Sequence, residues 1–361
     1  MQPNAQDEGI VIRVEDTRMF QEAGTGSDAV RAQLREDARA ISTIGADLRR
    51  MAPRSVITCA RGSSDHAATF AKYLIETLTG VVTASAAPSV FSLYRVSQDL
   101  RGCLFLAISQ SGRSPDLLAA VAAAKQAGAT VLALCNVPDA PLSAAADLVI
   151  ELRAGLETSV AATKSYLATL AALTRLVATW TEDRELQSAI DSLPDLMDQS
   201  WALDWSAALA SLESAKNLYV IGRGLGLGAV QETALKLKET CGLHAEAFSS
   251  AEVQHGPYAL LGVEFPALLF AQADVTRAGV ETLALELTRR GVPITIAGAR
   301  AASAEPLRSA GATVLPALEV RPEIAPILLV QSAYRVIAEL SVRRGFDPDR
   351  PAHLRKITET V

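Results

Sequence analysis

The segment Ser109-Gln110-Ser111-Gly112-Arg113-Ser114 puts three hydroxyls and a glycine between an apolar run, Cys103 to Ile108, and an Ala-rich stretch from Leu117 to Lys125. A buried strand that ends in such a turn and opens a helix presents unpaired N–H groups and partial positive charge, the combination that holds anions. The simplest occupant is a phosphate, so the turn points to a phosphorylated small molecule. Gly62-Ser63-Ser64 sits at another strand-to-helix turn. In a doubly wound sheet, ligands lie outside the carboxyl ends of the strands at the switch point, where Ser64 and Ser109 can reach one sugar phosphate. Taken alone, Ser63 or Ser64 serves equally well as a helix cap; beside Ser109, Ser111 and Ser114 the phosphate reading prevails. Thr158 and Ser159 are expected to cap a helix that runs from Val160 to Glu182.

Groups suited to proton transfer fall in the second half. Glu232, Lys236 and Glu239 are spaced four and three apart, so they share one helix face. Such spacing usually marks a solvated stripe of ion pairs. Apolar neighbours and the preceding turn, Gly222-Arg223-Gly224, set this one apart. Two of the four histidines, His244 and His255, lie within twelve positions, and His255 precedes Gly256-Pro257. A histidine there suits proton transfer near neutral pH. His244, Glu246 and His255 match no standard metal-ligand spacing, and no metal or cofactor is expected. Near the C-terminus, Asp347-Pro348-Asp349-Arg350-Pro351 implies a fixed path for a tail whose Lys356 can close over a pocket.

The elements that must position these groups follow from periodicity. Strands are expected at Ser55–Ala60, Val81–Ala84, Leu104–Ile108, Thr130–Asn136 and Leu148–Leu152, and then at Asn217–Ile221, Ala267–Ala271 and Val292–Ala297. Helices fall between them, at Val30–Met51, His66–Thr79, Ala229–Cys241 and Glu281–Arg290 among others. Alternation of this kind implies an α/β fold with parallel sheets covered on both faces. The second half repeats the first, so the chain reads as an N-terminal extension (1–30, loosely ordered to residue 15), a first unit (31–182), a helical connector (183–212), a second unit (213–345) and a tail (346–361). Ala271-Gln272-Ala273-Asp274 corresponds to the serine turn without its serines, so the phosphate belongs in the first unit only.

Bulk properties narrow the classes. With 361 residues, 49% hydrophobic and 20% charged, the chain can bury large cores. A net charge of −6 and no long Lys/Arg run argue against nucleic acid. The scattered Cys59, Cys103, Cys135 and Cys241 form no C-x-x-C pair, which fits reduced thiols in a cytoplasm. Residues Met1 to Glu8 lack a signal-peptide pattern, and no run reaches about 18 uninterrupted apolar residues, so no membrane span is expected.

These stretches resemble the sugar-isomerase (SIS) family with two tandem domains, most of all the isomerase half of glucosamine-6-phosphate synthase and the SIS-type amino-sugar-phosphate deaminases. The resemblance runs from about residue 55 to 361. It is carried by Gly62-Ser63-Ser64, Ile108 to Gly112, Cys135-Asn136-Val137-Pro138 and Val160 to Lys164. Further on it is carried by Gly222-Arg223-Gly224, Ala234 to Glu239, His244 to Ala247, His255-Gly256-Pro257 and the Asp347-to-Lys356 tail. It implies two flavodoxin-like doubly wound sheets in pseudo-repeat. It implies that Ser63, Ser64, Ser109, Gln110, Ser111 and Ser114 hold the phosphate and sugar hydroxyls, with Val160 and Ala162 also against the sugar. It implies Glu239 as the base moving a proton between C1 and C2, His255 lent by a second subunit to open the ring, Lys356 reaching the carbonyl, and Lys236 neutralising charge near Glu239. A homodimer with a shared site follows from that role of His255.

Departures accompany the resemblance. Arg113, Arg355 and Ala162 replace Glu, Ala and Ser of the synthase pattern, and Gln2 stands where the synthase has its glutaminase nucleophile, so glutamine hydrolysis by that route is not expected. The leading expectation is conversion of glucosamine 6-phosphate to fructose 6-phosphate and ammonia. Alternatives are an ammonia-dependent synthase, a deaminase of another amino sugar phosphate such as the galactosamine epimer, and deglycation of a fructosyl-amine phosphate. A non-catalytic sugar-phosphate sensor is a further reading; it could dispense with Lys236, Glu239, His255 and Lys356, all of which are present.

Overall fold

Two five-stranded parallel sheets make up a computed structural model of this chain that describes residues 12–356. Expectations for residues 1–11, Gln2 included, and for 357–361 lie outside the described residues. Helices α1 (Arg18–Gly24) and α2 (Gly26–Met51) come first. The first sheet then alternates β1 (Ser55–Cys59), α3 (Ser63–Thr79), β2 (Thr83–Ser85), α4 (Pro88–Ser92), β3 (Cys103–Ser109), α5 (Pro115–Gln126), β4 (Thr130–Cys135), α6 (Pro141–Ala145) and β5 (Leu148–Glu151). Helices α7 (Lys164–Trp180), α8 (Arg184–Asp191), α9 (Leu193–Trp201) and α10 (Leu209–Leu212) connect to the second sheet. There follow β6 (Asn217–Gly222), α11 (Leu227–Cys241), β7 (His244–Ser249), β8 (Ala267–Phe270), α12 (Arg277–Arg289), β9 (Ile294–Ala297), α13 (Ala301–Ala310), β10 (Thr313–Leu315) and α14 (Ala325–Arg343).

The strand orders are β2-β1-β3-β4-β5 and β10-β9-β8-β6-β7. Read from β7, the second order reproduces the first strand for strand, so the expected repeat is present and β3 corresponds to β8. Strand β3 is buried at every position because helices cover both faces, which is why its sequence is continuously apolar rather than alternating.

Four expectations need correction. The helix expected at Val30–Met51 begins at Gly26, and α1, at Arg18–Gly24, precedes it within the extension, where Met19 and Ala23 are buried. The helix expected from Val160 begins at Lys164, leaving residues 152–163 as a connecting loop. His244 to Phe248 is an edge strand, β7, paired to β6. Helix α14 was not anticipated; buried along most of its length, with Arg335, Glu339 and Arg343 as a polar stripe, it packs against α11, α9 and α1. Among the described residues it alone is long and apolar enough to cross a membrane, and 83% of that window is buried inside the protein.

The two units meet through α3 and α11. A Cβ on Gly228 would stand 2.5 Å from the His66 carbonyl oxygen, so only glycine permits this approach. That contact brings the helix bearing Glu232, Lys236 and Glu239 against the helix that opens at Ser63.

Candidate functional site

Strands β1 and β3 are neighbours whose following connections leave in opposite directions, which opens a crevice at their carboxyl ends. A cleft of about 440 Å³ lies there, in the size range of small-molecule sites. It is lined by Ser63, Ser64, Ser109, Gln110, Ser111, Ser114, Val160, Ala162, Glu239 and Lys356, together with Arg61 and Arg355. Ten of the expected site residues therefore meet in one place.

The serine turn is shaped by Gly112, at φ +63°, where a side chain would also collide with Ala140 and the Cys135 sulfur. Ser109 Oγ accepts the Gly112 N–H at 3.0 Å and Ser111 Oγ accepts the Arg113 N–H at 3.4 Å, so both serines help to hold the turn that displays them. Ser114 occupies the N-cap position of α5 with its hydroxyl not bonded to the helix, and Pro115 starts that helix. Gly62 takes the N-cap position of α3, so the capping reading of Ser63 and Ser64 does not hold. Arg61 donates from Nε to Asp116 Oδ2 at 2.9 Å, and Asp116 is buried in the first turn of α5. This pair ties the two turns together and adds a cation to the cleft.

Beneath the cleft the solvated-stripe reading fails. Glu232 and Lys236 are fully buried. Glu232 Oε1 accepts from Ser63 Oγ at 3.0 Å and Tyr334 OH at 3.1 Å, and its Oε2 is 3.0 Å from His66 Nδ1. Lys236 Nζ donates to Ser63 Oγ at 3.1 Å and to Glu239 Oε2 at 2.6 Å, and stands 3.3 Å from Glu232 Oε1. Burial alone would lower the Lys236 pKa, but the Glu232 and Glu239 carboxylates outweigh it and hold the ammonium at about 12. Burial works against the ionised Glu232, yet Lys236 and the His66 and Ser63 hydrogen bonds keep its carboxyl below the ordinary range. Glu239 alone of this set opens to the cleft, with 21% of its side chain exposed. A carboxylate fixed by a buried ammonium beside an anion-holding turn can move a carbon-bound proton.

Lys356 also lines the cleft, its Nζ 3.0 Å from Glu157 Oε2. Glu157 is buried and also accepts from the N–H groups of Thr163 and Ser165 and from Ser165 Oγ. It thereby caps α7, the role expected of Thr158 and Ser159, whose own N–H groups are held instead by Glu22. Burial opposes charge on Glu157, and Lys356 and the Ser165 hydroxyl more than offset it, so its carboxyl sits below the ordinary range. Because the helix end compensates Glu157 independently, Lys356 can leave it without stranding a bare buried charge.

His255 is exposed on a loop after β7 and does not line the cleft, and His244 bonds to Asn217 at the start of β6. Glu22, Arg61, Asp116, His66, Glu157 and Tyr334 were missed as site residues. Acidic residues amid otherwise apolar spacing, Glu22 between Met19 and Ala23, were the available signal.

A SIS-domain model matches residues 52–179 and 211–307, the first sheet with its helices and the second as far as α13. The glutamine–fructose-6-phosphate aminotransferase of Pyrobaculum aerophilum is 36% identical over 86% of this chain, and the chain spans about half, 52%, of that relative. A candidate phosphosugar isomerase of Silicibacter pomeroyi superposes with a TM-score of 0.86 at 37% identity, covering 92% of this chain and 100% of that one. The glucosamine-6-phosphate deaminase of Thermotoga maritima shares the fold, with a TM-score of 0.75 at 19% identity over 95% of this chain and all of that one.

Proposed function

This chain belongs to the SIS-domain family, and from that premise we propose that it is an amino-sugar-phosphate deaminase/isomerase. The reaction converts glucosamine 6-phosphate and water to fructose 6-phosphate and ammonia. One observation carries the reading: the serine turn, Glu239 on its Lys236 support, and the Lys356 amine line a single cleft. The turn holds the 6-phosphate. Glu239 removes the proton from C2 of the opened sugar and returns it to C1 through an enolamine. The resulting C2 imine takes up water and releases ammonia as the carbonyl forms. Lys356 meets the substrate carbonyl from the tail, as an ammonium or through a Schiff base. His255 opens the ring from a second subunit, in a homodimer whose cleft it completes.

Ammonia release is the favoured direction. All four cysteines are buried, and burial pushes the thiols of Cys59 and Cys241 up to about 12. These thiols are inert packing groups within the two units, and water, in vast excess over ammonia in solution, carries the proposed imine toward ammonia release. The curated relative named for aminotransfer favours a second reading in which the same groups run the reaction toward glucosamine 6-phosphate at high ammonia.

The test is ammonia release from glucosamine 6-phosphate without glutamine, coupled to detection of fructose 6-phosphate. Equal yields of both support the deaminase. Glucosamine 6-phosphate formed from fructose 6-phosphate and ammonium salt, with no measurable reverse reaction, favours the second reading. A sugar phosphate that raises the melting temperature but is not turned over points to a sensor.

A further inference from the structure

Helix α1 contributes nothing to the cleft lining, yet both segments that close the cleft are tied to it. Glu22, 9% exposed, lies on the face of α1 that buries Met19 and Ala23. Its Oε1 accepts the Thr158 N–H at 2.5 Å and the Thr158 hydroxyl at 3.0 Å, and its Oε2 accepts the Ser159 N–H at 3.1 Å. Val160, the next residue, and Ala162 line the cleft. From the other side, Asp349 accepts the N–H of Arg18 at 2.8 Å and of Met19 at 2.9 Å. Those donors belong to the first turn of α1, which has no partners for them within the helix. Pro351 is buried just beyond, and the tail then delivers Lys356 to Glu157. The helix is itself fixed: Gln331 of α14 donates to the Ala23 carbonyl at 3.4 Å, and Phe20 packs edge-on against Trp201, with ring centroids 4.9 Å apart.

The loop from 152 to 163 has neither strand nor helix of its own, and Arg153 and Gly155 take φ values of +54° and +65°. Three acceptors hold it in sequence. Asn136 Oδ1 takes the Ala154 N–H, Glu22 takes those of Thr158 and Ser159, and Glu157 takes those of Thr163 and Ser165. Without the middle one, the backbone beside Val160 would have to be ordered by the ligand, at a cost in affinity.

We propose that Glu22 and Asp349 are positioning residues, and that α1 acts as a common bracket setting the Val160 loop and the Lys356 tail against each other at the cleft. The proposal rests on the amino-sugar-phosphate reading of that cleft. It assigns a functional task to a segment read from sequence only as an N-terminal extension.

The experiment compares the full chain with Glu22→Gln and Asp349→Asn by amide hydrogen exchange without ligand, by calorimetric titration with glucosamine 6-phosphate and by steady-state ammonia release. Glu22→Gln keeps the side-chain size but turns one acceptor into a donor facing N–H groups. It should speed exchange at Thr158 and Ser159 and weaken sugar-phosphate binding roughly tenfold, while kcat moves by less than about threefold. Asp349→Asn should speed exchange at Arg18 and Met19 and lower kcat by about ten- to a hundredfold, because Lys356 is no longer held in register. Unchanged exchange at these amides overturns the bracket whatever the substrate. Faster exchange with unaltered binding and kcat overturns its role in the site. If wild type binds but does not release ammonia, the deaminase reading fails alone, and the exchange and binding arms still decide this proposal. If Glu22→Gln loses protection throughout both sheets, Asp349→Asn, at a partly exposed position, decides it.

Discussion

The turn after β3 and the turn after β8 occupy the same place in two sheets of the same strand order, and they treat negative charge in opposite ways. After β3, hydroxyls and a positive-φ glycine face an open cleft. After β8, the chain supplies its own anion. Asp274 accepts from the Thr276 N–H at 2.7 Å, from the Thr276 hydroxyl at 2.6 Å and from the Gln272 amide. The second unit has thus closed the slot that the first keeps open, and it turns α11, with Glu239, toward the first unit's cleft. On the proposed reading a duplicated scaffold divides the work: one copy binds, the other reacts. Equivalent backbone positions say little about equivalent use; the side chain that neutralises each turn does.

That division predicts separable losses. Glu239→Gln should cut kcat by about 10² to 10⁴-fold while sugar-phosphate affinity holds, the range for removing a general base. A variant with normal turnover would erase the second unit's share. Lys236→Met leaves Glu232 and Glu239 without their buried cation and should cost about 3–5 kcal/mol of stability by denaturant unfolding. The same network sets a pH signature. Glu232 and Glu157 are held below the ordinary glutamate value of 4.5, so their stabilisation is present above that value and is lost as pH falls through their folded values. Lys236 is raised from 10.5 to about 12, so its contribution is complete below 10.5 and is lost as pH rises through about 12. Wild type should therefore lose stability at both extremes, and Lys236→Met should show a shallower alkaline limb, to which the buried Cys59 and Cys241 thiols, raised to about 12, still contribute.

Ser109→Ala sharpens the comparison from the binding side. Sugar-phosphate affinity should fall about tenfold with kcat little changed, as calorimetry and kinetics together would show. Unaltered affinity removes the serine turn from phosphate binding. The smallest effect is expected at Asp274→Ala. Losing that internal anion should lower stability by about 1 kcal/mol in thermal unfolding and leave sugar-phosphate affinity untouched. Weakened affinity there would mean that the two turns are not divided as described.

Much of this was legible in the residues. Strand–helix alternation and the repeat follow from local pattern, since apolar runs and glycine turns are written in contiguous sequence; the convergence of the serines with Glu239 and Lys356 came from the resemblance to the SIS family. What was not legible depends on partners far along the chain. Val160-Ala161-Ala162 reads as helix until Glu157 is seen capping α7 at Thr163 and Ser165. The stripe from Glu232 to Glu239 reads as solvated until Ser63, His66 and Tyr334 are seen to cover it. His244-Ala245-Glu246-Ala247 draws attention as a histidine cluster, although its alternation of exposed and buried residues is that of an edge strand on β6.

The hydrogen bond from Arg18 to Asp349 joins residues 331 apart in sequence. At ribosomal speeds of about 5–20 residues per second, α1 waits on the order of 15 to 70 s for that carboxylate to be made. Both sheets can form in the interval, and the amine-bearing strap then joins a helix made long before it. A polypeptide that stops short of Asp349 would present the cleft without its lysine wall, so on the proposed reading making the strap and arming the site become the same event.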